Sequence, residues 1–249
     1  MMLEGRNAVI YGAGGSIGGA VARAFAREGA RVHLTGRTLK TLEPVFEEIR
    51  AEGGLAETAY VDALDERAVD AHADSVAAEW GSLDISFNVI THGDVQGVPL
   101  AEMTLADFER PVATAVRTMF LTSRAAARHM IRQSSGVILM FGGYGDPMPR
   151  LGGLQVAFGA LDALQRALAC ELGPYGVRVL TLQTGGVPDS IPPDMPGGQE
   201  IADSIAEQTM LGRAATLEDV GNVAVFAVSD HARTLTATSL NISCGSTVG

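Results

Sequence analysis

Lysine is almost missing from this chain: Lys40 is the only one. Chemistry that needs an ε-ammonium in the central or C-terminal part of the chain is therefore excluded. Cations are scarce in general, with 18 Lys and Arg against 29 Asp and Glu and a formal net charge of −11 at pH 7. So acidic a chain argues against nucleic acid or a membrane surface as partner, because both are held by clustered Lys and Arg. Cysteine is nearly as rare. Cys170 and Cys244 lie too far apart for a zinc spacing, and they predict two buried free thiols in a reducing compartment rather than a disulfide. No apolar run reaches the roughly 18 residues of a spanning helix. The stretch Ala8–Ala22 is broken by five glycines, and Glu4 and Arg6 precede it, which is not the pattern of a signal peptide. The expected location is cytoplasmic.

What is present is apolar and periodic. Hydrophobic residues make up 47% of the 249, enough for a sizeable core. Asn7–Tyr11, Arg31–Thr35, Leu55–Val61, Leu83–Val89, Gly136–Phe141, Val177–Leu182 and Ser239–Ile242 read as about seven strands. Between them, Ile17, Val21, Ala24 and Phe25 recur at helical spacing before Gly29, and further helices are predicted over 38–52, 65–80, 105–132, 154–172, 201–210 and 217–228. Pro111 is expected to interrupt the long one near its start. Alternation of strand and helix with short connections predicts an α/β fold, a single doubly wound parallel sheet with helices on both faces, spanning 1–249. The Pro/Gly-rich stretch Val187–Gly198 leads into a short helix, and 187–210 is expected to form a substrate lid.

The first strand runs into Tyr11-Gly12-Ala13-Gly14-Gly15-Ser16-Ile17-Gly18. Glycines there permit a tight turn and let a pyrophosphate rest on the N–H groups opening the next helix, so Gly12, Gly14, Gly15, Ser16, Ile17 and Gly18 are candidate cofactor contacts. The second strand ends Thr35-Gly36-Arg37. No carboxylate stands there to grip two ribose hydroxyls, while Arg37 offers a guanidinium to a 2′-phosphate, which favours NADP(H) over NAD(H).

On this turn, on Asp62 in YVDALD, on Trp80-Gly81-Ser82-Leu83-Asp84-Ile85, on LACELGPYGVRV at 168–179 and on Leu211-Gly212-Arg213 with TLEDVGNVAVFAVSD, the chain resembles the short-chain dehydrogenase/reductase family over nearly its whole length. The resemblance implies a Rossmann-like domain, with Asp62 and Ala63 on the adenine side and Asn88, Gly185 and Val187 as further cofactor contacts. It also implies a homodimer or homotetramer acting on a small-molecule substrate.

The same resemblance exposes a loss. The family's Tyr-x-x-x-Lys pair falls on Leu154 and Phe158, or on Val156 and Ala160 if the register slips by two. The serine position falls in Gly142-Gly143, and the asparagine position near Ala115. None of these can titrate, so the chain is identified as an atypical member of the family. Replacement acids or bases must come from loops at the carboxyl ends of the strands. Tyr144 and Asp146 follow the fifth strand and His92 the fourth; each is a candidate catalytic residue, or else part of a turn or surface loop. Leu154, Phe158, Gln183 and Thr184 are candidate substrate contacts. His33 is expected in the core, and His72 and His129 solvated on helices. No His, Cys, Asp or Glu cluster suggests a metal. The resulting expectation is an NADP(H)-dependent oxidoreductase acting on a carbonyl, alcohol or activated double bond with a non-standard proton donor. A non-redox cyclase, dehydratase or isomerase on the same fold, or an inert dinucleotide-binding subunit, stays open beside it.

Overall fold

The computed structural model describes residues 1–142, 148–192, 194–195 and 197–246. Seven parallel strands, β1 Asn7–Tyr11, β2 Arg31–Gly36, β3 Leu55–Tyr60, β4 Ile85–Asn88, β5 Gly136–Gly142, β6 Val177–Thr184 and β7 Thr238–Ile242, form one sheet in the order β3-β2-β1-β4-β5-β6-β7. The predicted α/β, doubly wound architecture is what the structure shows. All five residues of β1 are buried, because a central parallel strand is covered on both faces. Ala8 and Ile10 point to one layer, and Val9 and Tyr11 to the other.

One layer holds α1 Ser16–Arg27, α2 Leu39–Ala51 and α7 Leu217–Val228. The other holds α3 Glu66–Trp80, α4 Leu105–Gln133 and α5 Gly153–Leu172. Across the second layer an acidic stripe meets a basic one. Glu66, Asp70 and Asp74 recur every fourth residue on α3, one face of a helix. Arg124 pairs with Glu66 at 2.6 Å and Asp70 at 2.9 Å, Arg128 with Asp70 at 3.0 Å, and His129 with Asp74 at 2.8 Å.

Three expectations need correcting. Pro111 does not interrupt α4, which runs unbroken from Leu105 to Gln133. The ring is buried against Gly153, whose missing side chain lets the two helices approach, and that packing offsets one lost backbone bond. His129 is buried, not solvated, because it closes the Asp74 bridge, and His72 is half-buried beside His33. Both cysteines are free, but Cys170 is exposed on α5 and Cys244 half-buried, so neither is the core thiol expected. No helix among the described residues is long and apolar enough to cross a membrane.

Candidate active site

The sheet order reverses between β1 and β4, and the crevice above their carboxyl ends is where such sheets take ligands. Tyr11, the last residue of β1, sits in register with Thr35 on one side and Asn88 on the other. Directly beyond it lies a cleft of about 500 Å³.

Its floor is the glycine turn. Gly12 and Ala13 both donate their N–H to Thr35 O, at 3.1 and 3.3 Å, which bends the chain off β1. Gly12 has φ +91°, and a Cβ there would lie 2.9 Å from Val89 O, so only glycine fits. Gly15 is the N-cap of α1 and has no side chain with which to cap it. The N–H groups of Ser16, Ile17 and Gly18 in the first turn therefore have no helical partner and face an anion's place. Gly15 lines the cleft, and a Cβ on it would meet only Gly12 O, at 3.5 Å. This cradle fits a pyrophosphate.

On the second wall stand exposed Arg37, Asp62 and Ala63. Asp62 accepts the Leu64 N–H at 3.0 Å through one carboxylate oxygen, which fixes its side chain at the rim. On the third wall stand Ile90, Thr91 and His92. The His92 ring meets Phe158 of α5 edge on, with centroids 6.4 Å apart. Burial holds the His92 pKa below its ordinary 6.5, and nearby Asp94 opposes this in part. Tyr11 also borders the cleft, but its phenol is buried. Desolvation, with the Asp70 charge second, raises its pKa far above the usual 10.

The other candidates are placed differently. Asn88 is buried and turned inward: its Nδ2 donates to Thr122 Oγ1 at 3.1 Å, and its Oδ1 accepts the Ile90 N–H at 3.1 Å, which shapes the loop bearing His92. Leu154 is buried, whereas Val156 is 47% exposed. Phe158 and Gln183 share a narrow gap with Thr181 and Asp162, apart from the cleft. Thr184 is half-buried, Val187 is buried, and Gly185 packs so closely on Ser243 and Ser246 that a side chain there would displace them. Tyr144 and Asp146 lie outside the described residues. Within 187–210, α6 Gly198–Glu207 buries no residue, and Ile205 lies against Gly186.

Sequence reasoning overlooked one wall. Arg110, Thr114 and Thr118 of α4 all line the cleft, and Thr122, one turn on, supports Asn88. A polar residue every fourth position on an otherwise buried helix face was the available signal. Among the described residues, no group of three or more His, Cys, Asp or Glu is arranged to hold a metal.

A family profile described as enoyl-(acyl carrier protein) reductase matches residues 12–247. The chain is 30% identical over 251 residues to an uncharacterised oxidoreductase of Bacillus subtilis, covering 98% of this chain and 91% of that protein. It is 29% identical over 248 residues to the gluconate 5-dehydrogenase of Gluconobacter oxydans, covering 99% and 96%. A solved short-chain type dehydrogenase/reductase from Mycobacterium ulcerans resembles it with TM-score 0.89 at 26% identity, over 99% of this chain and 91% of that one.

Proposed function

We propose, from the premise that this chain belongs to the short-chain dehydrogenase/reductase family, that it is an oxidoreductase preferring NADP(H) and acting on a carbonyl, alcohol or activated double bond. An oxidoreductase using a nicotinamide dinucleotide is what the family provides. The observation that carries the finer reading is the convergence on one cleft of the glycine turn, Arg37, Asp62 and His92.

When bound, the dinucleotide supplies or accepts a hydride. The chain's own residues do the rest. The first-turn N–H groups of α1 orient the pyrophosphate. Arg37 stands where a 2′-phosphate would need a bidentate cation, and the end of β2 puts no carboxylate against it. Asp62 can accept from an exocyclic amine. Leu154 and Phe158 carry no proton, so the proton at the reacting oxygen or carbon must move through another group. His92 is the described titratable side chain on the cleft side of Phe158. With its pKa lowered, the imidazole is neutral at pH 7 and acts as a base toward an alcohol; in the reverse direction its protonated form is the acid.

Titration of the purified protein with NADPH and NADH tests the reading. Tighter NADPH binding, and a change in NADPH absorbance during turnover of a carbonyl or enone panel, are expected. Tighter NADH binding overturns the preference. Turnover of a substrate with constant NADPH absorbance would move the chain to a non-redox activity on the same fold, the alternative that the apolar pair Leu154 and Phe158 favours.

A further inference from the structure

We propose that Arg110 is a ligand-binding residue of the cleft, its guanidinium forming the outer wall at the base-binding end and packing against the purine of the bound dinucleotide. The inference rests on the dinucleotide reading above and adds a second cation, on the lip opposite Arg37.

Arg110 is not an ordinary surface arginine. It is tied at both ends of its guanidinium. Nη2 donates to Asp107 Oδ1 at 2.9 Å, and Nη1 donates to Gly93 O at 3.4 Å. Asp107 is itself fixed: its N–H donates to Thr104 Oγ1 at 3.2 Å, and Thr104 Oγ1 donates to Asp107 Oδ2 at 2.7 Å. Gly93, at φ +71°, brings the backbone of the β4 loop under the arginine stem, and a Cβ there would lie 3.3 Å from Arg110 Cδ. The helix start and the loop thus hold a long side chain in one conformation before any ligand arrives. A side chain ordered in advance loses little entropy on binding.

Its surroundings say which part of the ligand it meets. Ala63, Leu64 and Thr114 line the same cleft beside Arg110, and Asp62 stands next to Ala63. These offer a carboxylate acceptor and an apolar surface, which suit a purine with an amino group. The anionic groups of the ligand are provided for elsewhere, by the start of α1 and by Arg37. Asp107 neutralises part of the Arg110 charge and leaves a flat, partly compensated cation. Such a group gains more from an aromatic face than from a phosphate. The resulting juxtaposition is Asp62 at the base edge and Arg110 over its face.

The test is calorimetric titration of the full chain with NADPH and with adenosine 2′,5′-bisphosphate, using wild type, Arg110→Ala, Arg110→Lys and Asp107→Asn. Arg110→Ala is expected to weaken both ligands alike, by about tenfold. Arg110→Lys keeps the charge without the plane and is expected to restore less than about half of that loss. Asp107→Asn is expected to cost a few-fold for both ligands. The melting temperatures of the unliganded variants should match wild type, since the Arg110 side chain is 49% exposed. A loss under about twofold for both ligands, a loss confined to NADPH, or full recovery in Arg110→Lys overturns the assignment and leaves the dinucleotide reading intact. Wild-type protein that binds neither ligand overturns both.

Discussion

Phe158 faces His92 edge to face, with ring centroids 6.4 Å apart, at the helix position where the resembled family carries its lysine. An apolar ring has replaced an ammonium, and the nearest titratable group on the cleft side is an imidazole. The consequences for catalysis, binding and stability can be measured separately.

If His92 moves the proton, His92→Ala lowers kcat by about 10²-fold and leaves the NADPH Kd within about twofold. Because burial lowers the His92 pKa below 6.5, the base form is available at neutral pH. Oxidation should therefore rise with pH through the mildly acid range and level off by neutrality. Reduction, which needs the protonated ring, should decline over the same range. Steady-state pH profiles in both directions check this, and an unchanged rate in His92→Ala removes the residue from the mechanism.

Replacing Arg37 probes the cofactor preference. Arg37→Ala removes a charge-assisted contact and is expected to raise the NADPH Kd by roughly 10- to 100-fold while changing the NADH Kd little. Equal losses for the two cofactors, measured by fluorescence titration, would place Arg37 away from the 2′-phosphate.

Two glycines of the same turn should fail in different ways. Gly12→Ala forces a side chain into φ +91° and toward Val89 O, and should cost about 2 kcal/mol of stability. Gly15 has φ −85° and ψ 165°, which any residue adopts. Gly15→Ala should keep the melting temperature and weaken NADPH binding, because its Cβ stands where the pyrophosphate would approach. Thermal denaturation with and without NADPH separates the two effects; a destabilised Gly15→Ala with unaltered affinity contradicts the placement.

The second site of interest for pH lies away from the cleft. His33 and His72 pack with centroids 6.5 Å apart, and their pKa values fall to about 4, chiefly through burial. His33 Nδ1 lies 3.4 Å from Glu57, while His33 Nε2, His72 Nδ1 and Trp80 Nε1 have no hydrogen-bond partner. Between pH 6.5 and 4 the unfolded chain binds more protons than the folded one, so stability falls as pH falls through that window. The loss is up to roughly 3 kcal/mol per imidazole. Trp80, the only tryptophan, has its ring 6.5 Å from His33 and reports the transition by fluorescence. Denaturant unfolding at pH 7 and pH 4.5 should differ accordingly, and His33→Gln with His72→Gln should flatten the difference. Equal stability at both pH values would show that the histidines are solvated after all.

The order of strands and helices, the glycine turn, the missing carboxylate after β2 and the missing Tyr and Lys on α5 could be read directly from the residues. Each is a local property: a run of apolar side chains, a residue type at a turn, an absent functional group. Periodicity and composition register such things without knowledge of neighbours. What tertiary structure decided is contact between segments distant in sequence. Pro111 could stay inside a helix only because Gly153 lies against it, and His129 became buried only because Asp74 waited on the facing helix. Asn88 turned inward to Thr122, and Phe158 came to rest on His92. Arg110 became part of the cleft through Gly93 and Asp107. Side-chain direction depends on what packs across the gap, and a linear sequence carries that information only after the chain has folded around it.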